Sequence, residues 1–222
     1  MDIFLFVLSY VTQLVASGIL LYRIWSVHSV DGLTVDTQWC LLCSTISRCI
    51  WTLNTRIVEE NKLFALLAVV ELLSSLGAAG ALVYSFQKFR HTFTRSVPKL
   101  LSAVILLPSA LLIAYLVNPG KWFTFSTQVL VAFTMYAEAV ALVPQLWLVQ
   151  KIGDVEALTS HYIGLLVIAR AVRMLFWLFM ILDGQWFLCL FLADLLHTAL
   201  SADYMYLWIR KLRHGGRLIY SL

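Results

Sequence analysis

Phe123 to Val149 reads FTFSTQVLVAFTMYAEAVALVPQLWLV, and Glu138 is its only charged side chain. About 20 apolar residues in a helix cross a bilayer core, and this run is longer than that. It lacks the two-residue alternation of a barrel strand, so in lipid its backbone can satisfy its polar groups only as a helix. Pro144 withdraws one amide from that helix, which predicts a kink near Val140.

Six further stretches read the same way: Ile3–Tyr22, Thr37–Leu53, Leu63–Phe86, Leu100–Val117, Tyr162–Leu182 and Trp186–Trp208. Thr37–Leu53 is the shortest and carries Arg48. The connections are short, so residues 1–222 are expected to form one seven-helix membrane domain with a short tail from about residue 209. Composition agrees. Of the 222 residues 61% are hydrophobic and 13% charged, with a mean hydropathy of +0.87. A soluble domain of this length could not hide so much apolar surface. The net charge of +4 sits in loops rather than in one stripe, which argues against nucleic acid as a partner. Met-Asp-Ile-Phe offers no basic n-region and no small-residue cleavage site follows, so the first run reads as a retained helix.

Loop basicity sets the expected orientation. Arg23, Lys88, Arg90, Arg95, Lys99, Lys151, Arg210, Lys211, Arg213 and Arg217 fall on one side. Arg56, Lys62 and Lys121 fall on the other. The richer side is cytosolic by the positive-inside rule, which places the tail in the cytosol and, with seven spans, the N-terminus in the lumen.

An internal repeat is visible. Ser29-Val30-Asp31-Gly32-Leu33-Thr34 leads into the second stretch, and Asp154-Val155-Glu156-Ala157-Leu158-Thr159 leads into the sixth. Arg48 follows Thr34 at the spacing with which Arg173 follows Thr159. Both loops are on the cytosolic side, so the expectation is two parallel three-helix repeats joined by a linker helix. A ligand site then falls near the midplane between them.

Charges at membrane depth cost several kcal/mol and mark functional candidates. Here they are Arg48, Glu71, Glu138, Arg170, Arg173, Asp194 and Asp203, with His197 three residues after Asp194. Three cations against four acids leave structural ion pairing open as an alternative. Arg170 and Arg173 share a helix face, and guanidiniums gathered in a luminal cavity suit a carboxylate ligand, which arginine grips with two parallel hydrogen bonds. Asp194 and His197 are the candidates for sensing pH. Cys40 and Cys43 make a C-x-x-C inside an apolar helix with no second pair, and read as packing residues rather than a metal or redox site. The chain holds no G-x-S-x-G, no H-E-x-x-H and no phosphate-cradling glycine loop, so neither an enzyme nor a cofactor or metal site is expected.

Met1-x-Ile3-Phe4, Ile24-Trp25, Gln38, Arg48 and above all the run from Tyr136 to Tyr162 resemble the KDEL receptors, also called ER lumen protein-retaining receptors. Tyr136/Glu138, Pro144-Gln145-Leu146, Lys151/Gly153, Glu156/Thr159 and His161-Tyr162 carry the family pattern, continued by Arg170, Trp177 and Asp203-Tyr204. The resemblance implies a fold similar to SWEET (PQ-loop) transporters. It also implies a receptor in ER and cis-Golgi membranes that binds the C-terminal tetrapeptide signals of escaped luminal proteins in acid. Such a receptor returns them in COPI vesicles, and Asp203 and the basic tail (Arg210, Lys211, Arg213, Arg217) would support that return. By the same likeness Arg48, Gln128, Glu138, Arg170, Arg173 and Trp177 line the ligand site. Arg48 would meet the ligand's terminal carboxylate. Arg173 would meet an acidic signal residue or else pair with Glu138 or Glu71. Several family positions differ. The region of a basic residue in the first helix holds Leu5 and Phe6, and a histidine position holds Gln13. An aspartate position holds Trp51, and a Glu and a Trp correspond to Gln128 and Val131. In the sixth helix Ala169, Arg173, Phe176 and Met180 replace Tyr, Tyr, Asn and Arg. Two other functions fit the scaffold: a small-solute transporter of the same fold, and a paralogue without peptide binding.

Overall fold

Among the described residues, the apolar runs long enough to satisfy their own backbone are helical. The computed structural model describes residues 2–53, 62–92, 97–118, 126–152, 154–155, 157–184, 188–202, 204–206, 209 and 218–219. Asp203, Arg210, Lys211, Arg213 and Arg217 lie outside the described residues, as do the loop positions Arg56, Arg95, Lys121, Gly153 and Glu156 and the first residues of the fifth and seventh stretches. The helices are α1 (Asp2–Val27), α2 (Val35–Leu53), α3 (Lys62–Lys88), α4 (Ala103–Leu116), α5 (Thr127–Ala141), α6 (Val143–Ile152), α7 (Ala157–Leu182) and α8 (Leu188–Leu200). Among the described residues, four helical segments are long and apolar enough to cross a membrane: Phe4–Val27, Val69–Lys88, Thr127–Lys151 and Ser160–Leu182. Ala103–Leu116 and Leu188–Ala199 are shorter apolar helices. The only strand pairing among the described residues joins Asp154–Val155 to Leu218–Ile219, antiparallel, so a piece of the tail lies against the loop after α6.

Thr127–Lys151 is interrupted where the proline predicts. α5 stops at Ala141 and α6 begins at Val143, one residue before Pro144, whose missing amide leaves the carbonyl of Val140 without its usual i+4 donor. α1 runs past the expected Tyr22 to Val27. Arg23, expected in a loop, is therefore in the helix and buried. Its guanidinium reaches over the helix end to donate to the carbonyls of Ser29 (2.9 Å) and Asp31 (3.1 Å). Gly32 supplies the left-handed turn of that loop, at φ 75°.

Neighbours are set by where small and apolar faces meet. α1 packs on α7 and α3, α2 on α5 and α3, α4 on α5, and α8 on α7 and α5. α4 turns Ala103, Ala110 and Ala114 inward, one face at helical spacing, while Val104 is 80% exposed on the other side. The carboxylate of Asp36, at the start of α2, accepts from the amide of Ala103 (2.7 Å) and the hydroxyl of Ser102 (3.0 Å), capping α4.

Two apolar clusters occupy the two ends of the bundle. One holds Leu20, Ile24, Leu82, Phe86, Leu146, Tyr162 and their neighbours. The other holds Val129, Met135, Phe176, Trp177 and Leu190, with Leu5 and Phe6 packed on it. Between these clusters α1, α2, α5, α7 and α8 bury polar and charged side chains, with only small residues such as Ala137, Ala139, Ala169 and Ala193 among them on α5, α7 and α8. That layer is the candidate site.

Candidate functional site

Each of five helices brings one polar step to the layer. α1 brings Tyr10 and Gln13, α2 Arg48, α5 Glu138, α7 Arg170 and Arg173, and α8 Asp194 and His197. On α7 the spacing of Arg170, Arg173 and Trp177 is i, i+3, i+7, which aligns them on one face.

Arg173, 1% exposed, is the hub. Its Nε donates to Asp194 Oδ2 at 2.7 Å and its NH2 to Asp194 Oδ1, a two-pronged grip on one carboxylate. Trp177 Nε1 donates to the same carboxylate at 3.0 Å. Arg173 NH1 donates to Glu138 Oε2 and, at 3.3 Å, to the Tyr10 hydroxyl. Arg170 donates to Glu138 Oε2 as well, and its other terminal nitrogen to Gln13 Oε1 at 3.4 Å.

Arg48 stands across Tyr10 from this hub. Its guanidinium stacks 3.7 Å from the centre of the Tyr10 ring, while that of Arg173 lies 5.8 Å from the same centre. Arg48 NH2 donates to Glu71 Oε1 at 3.0 Å, and that oxygen also accepts from Ser75 (2.5 Å). Three guanidiniums thus meet three carboxylates, and the layer is neutral as a whole. Neutrality is what lets so many charges stay out of water, since stranding one buried partner costs about 3–5 kcal/mol. Of the five buried side-chain polar atoms without a partner among the described residues, three belong to this layer: Glu138 Oε1, Arg48 Nε and His197 Nδ1. A narrow cleft between α1, α2 and α3 opens beside the layer, bordered by Gln13, Ser17, Gln38, Thr45 and Ser75 and also by Leu14, Leu41, Ala79 and Leu82.

Arg48, Glu138, Arg170, Arg173, Trp177 and Asp194 are brought together as a connected set. Gln128 is not. It is exposed in the first turn of α5, ten residues or about 15 Å along the helix from Glu138. Of the two expectations for Arg173, pairing with Glu138 is the one observed, together with Asp194. Asp194 and His197 are neighbours in α8, but the aspartate is turned to Arg173 and Trp177, and His197 Nδ1 has no partner. Sequence reasoning passed over Tyr10, the ring between the two arginines. It has no charge and no motif, and only its i, i+3 relation to Gln13 could have drawn attention to it. It also undervalued Gln145. That side chain accepts from the Thr34 amide (2.9 Å) and donates to the Gly32 carbonyl (2.9 Å), tying α6 to the loop before α2. Gln38 and Tyr162 make a second such tie, at 2.9 Å.

A helical membrane protein with arginines and acids interlocked between two apolar layers is the class that fold and site define. Residues 29–180 match the family described as ER lumen protein retaining receptor. The chain is 31% identical to the ER lumen protein-retaining receptor of Drosophila melanogaster, over 90% of each chain. It is 30% identical to the ER lumen protein-retaining receptor erd-2.2 of Caenorhabditis elegans, over 90% of each, and 29% identical to ER lumen protein-retaining receptor 2 of Danio rerio, over 93% of each. The chain belongs to the ER lumen protein-retaining receptor family.

Proposed function

We propose that this chain is a multi-pass receptor of ER and cis-Golgi membranes that binds the C-terminal, KDEL-like tetrapeptide signals of luminal proteins and returns them from Golgi to ER. The observation that carries the reading, beyond family membership, is Arg48. It is buried, stacked on Tyr10, and retains an N–H without an acceptor. It is the cation best able to take a terminal carboxylate. Arg170, Arg173, Glu138 and Trp177 form the wall beside it, and Gln128 stands at the luminal mouth. The N-terminus is luminal, and the tail is cytosolic, where Asp203, Arg210, Lys211, Arg213 and Arg217 serve recycling by the COPI coat.

The seven-span, two-repeat architecture belongs to the same proposal. Exchanging α1 with α5, α2 with α7 and α3 with α8 maps the observed helix pairs onto one another: α1·α7 onto α5·α2, α2·α3 onto α7·α8, and α1·α3 onto α5·α8. The ion pair Arg48–Glu71 joins α2 to α3 as Arg173–Asp194 joins α7 to α8. Gln13 and Glu138 stand at the separation of Thr34 from Thr159 and of Arg48 from Arg173. These correspondences support two parallel repeats with α4 as linker and the ligand between them.

We assign pH dependence to Asp194 and His197. His197 has Arg170 and Arg173 of α7 and Glu138 of α5 within electrostatic reach. The two guanidiniums beside Nδ1 work against a proton there, so the coupling we assign runs through the ligand: an anionic peptide supplies the charge that stabilises the imidazolium, and binding is then tighter in acid. The test is the affinity of free-acid and C-terminally amidated tetrapeptides for the purified chain at about pH 5.5 and 7.5, a range spanning the free histidine value of about 6.5. Binding of the free acids alone, stronger in acid and flattened by His197→Gln, is expected. A pH dependence that His197→Gln leaves intact puts the sensor elsewhere. Uptake of small solutes into proteoliposomes without peptide binding makes the chain a transporter instead.

A further inference from the structure

Resting on the receptor reading, we infer that Asp194 supplies from within the chain the carboxylate that an acidic ligand side chain would otherwise bring. The site therefore selects C-terminal peptides with uncharged rather than acidic residues before the terminus. Arg173 holds Asp194 with Nε and NH2, and its NH1 is spent on Glu138 and the Tyr10 hydroxyl. A guanidinium has five N–H groups, so no edge of Arg173 remains for a second two-pronged carboxylate. Trp177, a further donor aimed at this point, is also directed to Asp194. Arg170 shares Glu138 with Arg173 and turns its other nitrogen to Gln13.

Two further atoms of the layer bear on what a ligand must bring. Glu138 Oε1 is a buried acceptor without a donor, and Arg48 Nε a buried donor without an acceptor. A ligand that satisfies both brings one carboxylate, for Arg48, and an N–H donor, for Glu138. The peptide's own backbone or an amide side chain offers that N–H. A second carboxylate does not, and would sit beside Glu138 and Asp194 as a third negative charge facing two arginines already neutralised. The ligand class is thus a free C-terminus preceded by uncharged rather than acidic residues, for which Asn and Gln are the isosteric test.

The experiment uses the full chain in detergent and four probes: tetrapeptides ending Lys-Asp-Glu-Leu and Lys-Asn-Gln-Leu, each as free acid and as C-terminal amide. Wild type is expected to bind the free-acid Lys-Asn-Gln-Leu at least about tenfold tighter than Lys-Asp-Glu-Leu. Asp194→Asn opens Arg173 and is expected to reverse that order, while Asp194→Glu keeps it. Asp194→Asn leaves a buried guanidinium uncompensated, so the charge-neutral pair Arg173→Gln/Asp194→Asn is measured alongside, and it should lose the preference. A wild type that prefers Lys-Asp-Glu-Leu, or a preference that neither variant changes, overturns this inference and leaves the receptor reading standing. Failure of every free-acid peptide on every variant overturns both.

Discussion

Gln145 is fully buried, and its amide serves two backbone groups of a loop more than a hundred residues away. Gln145→Leu keeps much of the volume but strands the Thr34 amide and the Gly32 carbonyl. A buried unsatisfied polar group costs about 1–3 kcal/mol, so a clear fall in the melting temperature in detergent is expected, and an unchanged one would show that water replaces the amide. Glu138, Arg170 and Arg173 could be picked from the sequence because a charge in an apolar run is conspicuous. Which acid would meet which arginine could not, since that depends on the rotation of α5, α7 and α8 about their axes. The counter-ions Glu71 and Asp194 were visible as charges but not as partners. Tyr10 was not visible at all, because a tyrosine in an apolar helix looks the same at an interface, in a core or between two arginines.

Hydropathy located the helices well and their ends less well. α1 extends a turn beyond its apolar run because Arg23 folds back over the loop carbonyls and remains compatible with the helix. α2 reads as the weakest stretch because its inward face is polar: Gln38, Ser44, Thr45, Ser47 and Arg48 are all buried. That face borders the polar layer rather than lipid. The break between α5 and α6 follows from Pro144, and the break is what aims Gln145 at Thr34. Pro144→Ala returns an amide that can reach Val140 and so favours one straight helix. The predicted result is partial loss of the α6 tie. In a thermal double-mutant cycle, Pro144→Ala and Gln145→Leu together should then cost no more than the larger single change. Additive losses would mean that the kink and the tie are independent.

Across the whole molecule, one neutral layer of charge lies between two apolar clusters, and five helices must keep register for it to close. The loop after α6 also touches the tail, where Ile219 pairs with Asp154. Deleting Arg213 to Leu222 removes this contact and two basic residues together. On the recycling account, the truncated chain accumulates in the Golgi at steady state. Normal retrieval of a luminal reporter by the truncated chain assigns the basic tail to membrane anchoring alone, which cytosolic lysines and arginines provide in any case. The central claim is that a buried arginine between two repeats reads the free end of a luminal protein. Its most direct test is the affinity of a free-acid tetrapeptide for wild type and Arg48→Ala at acidic pH, with the amidated peptide as control and the melting temperature as a check on folding. The account predicts that Arg48→Ala remains folded and binds the free acid no better than the amide. A folded Arg48→Ala that binds the free acid as wild type does would contradict it.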